Sequence, residues 1–328
     1  MIRTFLYDAE GRDREIDLAP DAPATLAEHH ILWVDVTAPD AEELARLKAT
    51  FGLKAHSVAG LRRSETTFSL DNYGDYFHFD VPAVTRRPGD AKRLPQAAGG
   101  ARLDFVVAAQ WLITLHAEDL DFLRQFRDQD KAETQIGALT GPQVAASLLD
   151  WHLEAYLGAL EDVEAYAGAL DTRILARPRV REGLLGQVMT GRRYVSSLRR
   201  MLGPQRSVFY GASRPDFSQI AGTEAAVHYA ALERRFERTL DAIEHGRELM
   251  QSSFELFTTR TAETTNALIR RLTFLSVLLG ATGALATVFG MNFPPPYARA
   301  GGAFFVVVGV LAAMALGGVV VGRLRKWI

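Results

Sequence analysis

Two features of this 328-residue chain have the residue types and spacing to handle a cation. The first is the triplet Gly290-Met291-Asn292. An asparagine amide oxygen is a neutral, hard ligand that can hold the water shell of a small cation without trapping the ion. Gly290 lets the backbone bend out of a helix with no side-chain penalty, and Pro294-Pro295-Pro296 cannot continue one. The second is a line of carboxylates: Glu233, Glu237, Asp241, Glu244, Glu248 and Glu255. At about 100° per residue they share one helix face. The same line continues, drifting slightly, through Ala262, Asn266, Ile269, Thr273, Ser276, Gly280 and Thr287. Opposite it stand Phe274, Leu278, Leu285 and Phe289. An acidic stripe thus leads into a small, polar one, and small or hydroxyl side chains let a pore backbone approach water. Two plainer readings stay open: a solvated face paired with Arg234, Arg235, Arg238 and Arg247, and tight helix packing through small residues. One helix cannot enclose a pore, so an aqueous path requires an oligomer.

The elements that must position these residues are two apolar runs, Leu272 to Phe289 and about Gly301 to Gly322, neither containing a charge. Each is close to the ~20 residues a helix needs to cross ~30 Å of hydrocarbon. With only a short loop between them they read as a two-helix membrane hairpin, the triplet at the mouth of its first helix. Arg270 and Arg271 precede the first run, Arg323, Arg325 and Lys326 follow the second, and the loop holds only Arg299. The positive-inside rule then places both termini in the cytoplasm of an inner-membrane protein. Between Pro215 and Pro294 there is no proline. Some 75 residues are therefore expected as a single helix, roughly 110 Å long.

Composition excludes several classes. There is no cysteine, hence no disulfide and no thiolate metal site. From Arg260 onward seven basic residues face the single acid Glu263, so the net charge of −2 leaves the remainder acidic. An acidic soluble part does not suggest nucleic acid. The stretch Met1–Phe5 lacks the apolar core of a secretory signal. No nucleophile triad order or phosphate-cradling glycine motif stands out, so nothing makes a case for an enzyme.

The first ~120 residues alternate strand and helix signals. Ile2–Tyr7, Ile31–Val36, Tyr76–Val84 and Phe105–Leu115 read as strands. Pro39-Asp40 followed by Glu42-Glu43 starts a helix running to Phe51, with Leu44, Leu47 and Phe51 on one face. Arg86–Gly100 reads as an exposed hairpin or loop. Asp71–Asp75 reads as a turn, lacking the terminal Glu of a calcium loop. His116 with Glu118 and Asp119 reads as a strand end rather than a metal corner, and the adjacent pair His29-His30 could not chelate from a helix face. From about Pro142 the chain turns helical, with an apolar stripe Leu148, Leu149, Leu153, Tyr156, Leu157, Leu160. A second helix spans about Glu182 to Met201 and halts at Gly203-Pro204.

The triplet between two C-terminal apolar helices resembles the signature of the CorA family of divalent-cation transporters. The likeness extends to Leu32-Trp33-Val34-Asp35, to Tyr73-Gly74-Asp75-Tyr76, to Trp111–His116 and to Ser197–Arg206, in that order along the chain. It implies an α/β cytoplasmic domain (1–140) with a sheet between helices, and a helical region and stalk helix (141–271). A transmembrane hairpin (272–328) follows, and the whole assembles as a homopentamer in the bilayer. It further implies that Gly290, Met291 and Asn292 form the selectivity filter and that Asn266 lies at the cytoplasmic end of the pore. Ile269 and Leu272 would be hydrophobic constrictions, with Thr273, Ser276, Gly280 and Thr287 lining the path. Glu255 falls where the family has a stalk carboxylate that binds regulatory Mg²⁺, Asp90 being the available partner carboxylate. The transported ion would be Mg²⁺, with Co²⁺ or Ni²⁺ as surrogates, and no organic cofactor.

Two departures bear on the ion. After Gly-Met-Asn-Phe the family usually continues Met-Pro-Glu-Leu, whereas this loop carries no acid and one arginine, Arg299. That favours the family's zinc-transporting branch, although no histidine lies near the pore stripe to suit Zn²⁺. A membrane-anchored scaffold that conducts no ion is the alternative from outside the class.

Overall fold

Side chains along Ile31–Val36 define the two faces of a central sheet. Leu32, Val34 and Val36 enter one apolar core, while Trp33 and Asp35 meet Phe126 and Arg127 on the other side, as the strand period of two requires. The computed structural model describes residues 1–85, 94, 95, 97–129, 135–176, 183–290 and 303–325. Among these the sheet has strands β1 (Ile2–Asp8), β2 (Arg14–Ile16), β3 (His30–Thr37), β4 (Leu70–Asn72), β5 (Phe77–Thr85), β6 (Gly99–Val107) and β7 (Trp111–His116). Their order is β2-β1-β3-β7-β6-β5-β4. Only β3 and β7 run parallel, with Val34 opposite Ile113. The expected single run Phe105–Leu115 is in fact two strands. β6 and β7 are joined at Ala108–Gln110, where the Ala108 amide donates to the Trp111 carbonyl at 2.9 Å.

One face is covered by α1 (Ala41–Phe51) and α2 (Ala55–Leu61). The start of α1 is a capping box: the Glu43 amide donates to Asp40 at 2.8 Å and the Asp40 amide to Glu43 at 3.1 Å. Leu44, Leu47 and Phe51 are buried as their spacing requires. The opposite face meets α3 (Asp121–Gln129) and α4 (Gly141–Leu175). The Phe126 ring lies 5.7 Å from Trp33, and the Tyr156 hydroxyl donates to the Pro82 carbonyl at 2.7 Å.

α5 (Leu184–Leu202) and α6 (Arg206–Ala212) precede the long helix α7 (Ala225–Gly290). At 66 residues α7 is shorter than the expected 75, because turns between Arg214 and Thr223 delay its start. Gly222, at φ 78°, takes a left-handed conformation just before it. Along α7, residues 229, 232, 236, 239, 243, 246, 250 and 253 are buried. That alternation of three and four is the seam of a coiled coil. Met250 packs at Gly191 of α5 and Gly246 at Leu160 of α4, where there is no room for a Cβ on either glycine. The seam ends at Ser253.

The contacts divide the chain into two compact units: Met1–Asp171 with Leu185–Ser253, and Thr172–Leu184 with Phe254–Ile328. The second contains the remainder of α7 and α8 (Ala303–Leu324). Both helices carry stretches long and apolar enough to cross a membrane.

Candidate functional site

Beyond Ser253 no described residue of α7 is buried. Phe274, Leu278 and Thr282 are half-covered, and they lie one turn apart. This face meets α8: a Cβ on Gly318 would collide with Leu278 Cδ1. On α8 the half-covered positions Val307, Leu311, Met314, Ala315 and Gly318 follow the matching spacing. Small residues let two such helices approach where lipid offers no hydrophobic drive of its own. Leu285, expected on the same bulky side, stays 38% exposed.

Every stripe residue expected to line a path is exposed in the single chain. Ile269 is 56% and Leu272 66% accessible, and Asn266, Thr273, Ser276, Gly280 and Thr287 are exposed as well. The Thr287 hydroxyl donates to the Gly283 carbonyl at 2.9 Å, leaving its oxygen lone pairs as acceptors. Large apolar residues on other faces, Val277, Leu279 and Val288, are more than 60% exposed. A contiguous apolar surface of this extent calls for lipid or further copies.

The upper acidic stripe is less free than its spacing implies. Arg206 donates to Glu237 at 2.8 Å and the Tyr210 hydroxyl donates to its other oxygen at 2.9 Å. Glu244 is paired with Arg199 of α5 at 3.0 Å and with Arg247 on its own helix. The expected partner Arg235 turns instead to Asp150 and Glu154 of α4. Arginines from α5 and α6 therefore balance two of the six stripe carboxylates, Glu244 and Glu237, a pairing that helical spacing within α7 could not reveal. Glu255, past the seam, is exposed.

In the α/β unit the buried charges form closed networks. Asp35 accepts from His116 Nε2 at 3.0 Å and from the Thr114 hydroxyl at 2.7 Å, and it pairs with Arg127. Burial opposes its charge, but His116, Thr114 and Arg127 together hold Asp35 below the ordinary carboxylate range. His116 Nδ1 meets the Glu118 carbonyl at 2.6 Å, so its ring is tied at both nitrogens as the strand-end reading requires. Asp71 and Asn72 belong to β4, and the turn begins at Tyr73, where Asn72 accepts from the Gly74 amide at 2.9 Å. His152 lies fully buried between Gln205, at 2.8 Å, and apolar side chains, and burial pushes its pKa down to about 4.

Gly290 is the last residue of α7. Met291, Asn292, Arg299 and Asp90 lie outside the described residues.

A helix that leaves its own domain at Ser253, turns apolar and is followed by a second apolar helix defines a membrane protein with a soluble α/β domain. The chain belongs to the family of CorA-like Mg²⁺ transporter proteins, whose profile matches residues 28–323. The complete CorA magnesium transporter from Methanocaldococcus jannaschii has the same fold. Its TM-score is 0.77 at 16% identity, over 99% of this chain and 98% of that one. The cytoplasmic domain of ZntB from Vibrio parahaemolyticus matches with a TM-score of 0.59 at 11% identity, over 80% of this chain and 98% of that domain. A Schizosaccharomyces pombe protein named for metal ion transport is 22% identical over 316 residues, 90% of this chain. The match takes in 50% of that protein, so the chain spans about half the length of that relative.

Proposed function

We propose that this chain is the subunit of a homopentameric divalent-cation channel or transporter of the inner membrane, passing hydrated or partly hydrated Mg²⁺, with Co²⁺ and Ni²⁺ as surrogates. The carrying observation is the two-sidedness of α7 past Ser253. Its Phe274–Leu278 face is taken by α8, while the line from Asn266 to Thr287 is left open by its own chain. Copies arranged about an axis turn that line toward water and the bulky faces toward lipid. Both termini are then cytoplasmic. Residues 1–140 form the cytoplasmic α/β domain, 141–271 the helical region and stalk, and 272–328 the membrane hairpin.

In this reading Gly290, Met291 and Asn292 form the outer filter. Mg²⁺ gives up its water reluctantly, so a ring of Asn292 amides holds the hydrated ion by its shell. Asn266 repeats that role at the cytoplasmic end, and Ile269 and Leu272 close the path between. Glu255, with Asp90 of a neighbouring copy, is the pair for a regulatory Mg²⁺. A second reading, Zn²⁺ transport, is favoured by one feature: the loop between the helices carries Arg299 and no acid.

The test is flux into proteoliposomes of Mg²⁺ against Zn²⁺, with and without a pH gradient, for the native chain and Asn292→Ala. Mg²⁺ flux lost in Asn292→Ala with the assembly intact is the expected result. Undiminished flux of every divalent ion would remove the role of the triplet. A monomer or dimer by native mass measurement, without flux, would favour a membrane-anchored scaffold.

A further inference from the structure

The geometry points to a transition-metal site on the α/β domain, formed by Asp8, His29 and His30 and suited to Zn²⁺. It does not rest on the pore reading. The strand register creates it. β1 and β3 are antiparallel with Asp8 directly opposite His30, and His29 is the residue just before the strand. Both imidazoles therefore converge on one carboxylate. His29 Nε2 lies 3.5 Å from Asp8 Oδ1, and His30 Nε2 lies 3.4 Å from Oδ2. The three ligand atoms all fall within 4.8 Å of one another.

These separations are long for hydrogen bonds. They match the spacing of neighbouring ligands around a tetrahedral Zn²⁺, where bonds of ~2.0–2.1 Å place donor atoms roughly 3.4 Å apart. Two imidazoles and a carboxylate suit Zn²⁺, Co²⁺ or Ni²⁺ rather than Mg²⁺, which prefers an all-oxygen shell. Glu10, with a carboxylate oxygen 3.9 Å from His29 Nε2, is within reach as a fourth ligand or through water.

The surrounding backbone fixes the trio. The Ala9 amide donates to the His29 carbonyl at 3.1 Å, the Asp8 amide to Asp13 at 2.9 Å, and the Glu10 amide to Asp8 Oδ1 at 3.0 Å. Gly11 comes so close that a Cβ would strike the Asp8 carboxylate, and Gly137 closes on the Ala9 amide and the His29 carbonyl in the same way. The Glu10 amide above all, and then the two imidazoles, hold Asp8 below the usual carboxylate range. The side chains remain reachable, at 19%, 34% and 18% exposure for Asp8, His29 and His30. One contact opposes loading. The Ala27 amide donates to His30 Nδ1 at 3.3 Å, which sets the proton of the neutral ring on Nε2. Coordination requires the other tautomer, so the ion must outweigh that long bond.

The test is a Zn²⁺ titration of the detergent-purified full chain against a chromophoric chelator, repeated with Co²⁺ to read its visible spectrum. Asp8→Asn, His29→Ala and His30→Ala should each weaken one Zn²⁺ per chain by about tenfold or more and abolish the intense visible bands of four-coordinate Co²⁺. The intense bands of four-coordinate Co²⁺ require its imidazole ligands, which separates this site from the proposed ion path and its amide ring. If Asp8→Asn fails to fold, His29→Ala at its exposed turn still decides. Zn²⁺ affinity and a Co²⁺ spectrum that are the same in native, His29→Ala and His30→Ala protein would overturn the site.

Discussion

Leu278 of α7 and Gly318 of α8 lie so close that a Cβ on the glycine would collide with Leu278 Cδ1 as it stands. The atom it would strike is the end of a flexible side chain, so one methyl can be absorbed by a rotamer change, while a branched side chain cannot.

Gly318→Ala should therefore lower the thermal stability of the detergent-solubilised protein only slightly. Gly318→Ile should separate the two helices and cost about 1–3 kcal/mol, the usual range for overpacking. Thermal melts followed by size-exclusion chromatography provide the check. An unaltered melt for Gly318→Ile would place the helices further apart than the Leu278 contact requires.

Reversing the one loop charge should raise cation entry. In the proposed homopentamer, Arg299→Glu would change the ring of loop charges from about +5 to −5, and a screening length of ~8 Å at physiological salt would not erase that at the outer mouth. Mg²⁺ uptake should rise, and the gain should shrink as ionic strength increases. An unchanged rate at low salt would put the loop charge away from the ion's route.

His152 should make stability fall in acid. Its folded pKa, about 4, lies below the ordinary value of 6.5, so the unfolded chain binds the proton more readily. The stabilisation is complete above pH 6.5 and is lost as pH drops from 6.5 toward 4, by about 3 kcal/mol in total. His152→Leu removes this titration. The gap in unfolding free energy between native and variant chains should narrow over that pH window, and a constant gap would mean that His152 reaches water in the folded state.

Removing Asp35 should be costly. Asp35→Ala leaves the half-buried Arg127 without its counter-charge and takes acceptors from His116 and Thr114, a loss of about 2–4 kcal/mol. Asp35→Asn keeps an acceptor but no charge and should fall between. Denaturant unfolding followed by tryptophan fluorescence measures both. A loss under about 1 kcal/mol for Asp35→Ala would show that Arg127 finds another partner.

Much of the fold was legible in residue patterns because the physics is local there. Strand β3 carries its alternation, α1 its Asp40–Glu43 cap, and α7 and α8 their uncharged apolar runs. What escaped depended on distance or on silence. The β6–β7 turn at Ala108-Ala109-Gln110 contains no glycine, proline or asparagine to mark it. β2 and β4 are three-residue edge strands, too short to show a period. The Arg199–Glu244 and Arg206–Glu237 pairs join separate helices. Adjacent residues such as His29-His30 cannot chelate from one helix face, yet in the β1–β3 register both rings face Asp8. The residues of α7 proposed to line an ion path lie on one exposed line of the helix, while Met291 and Asn292 lie outside the described residues.

The seam of α7 that stops at Ser253 means that one unbroken helix is dissolved by two different media. Its backbone hydrogen bonds are satisfied internally along the whole length, so neither medium is needed to keep it helical. Only its side chains from Leu272 onward form an uncharged, largely apolar surface that water does not dissolve. Withdrawing detergent would then precipitate the protein through its 272–288 segment while the sheet and the Tyr229–Ser253 seam stay folded. Its failure in water is one of solubility before it is one of structure.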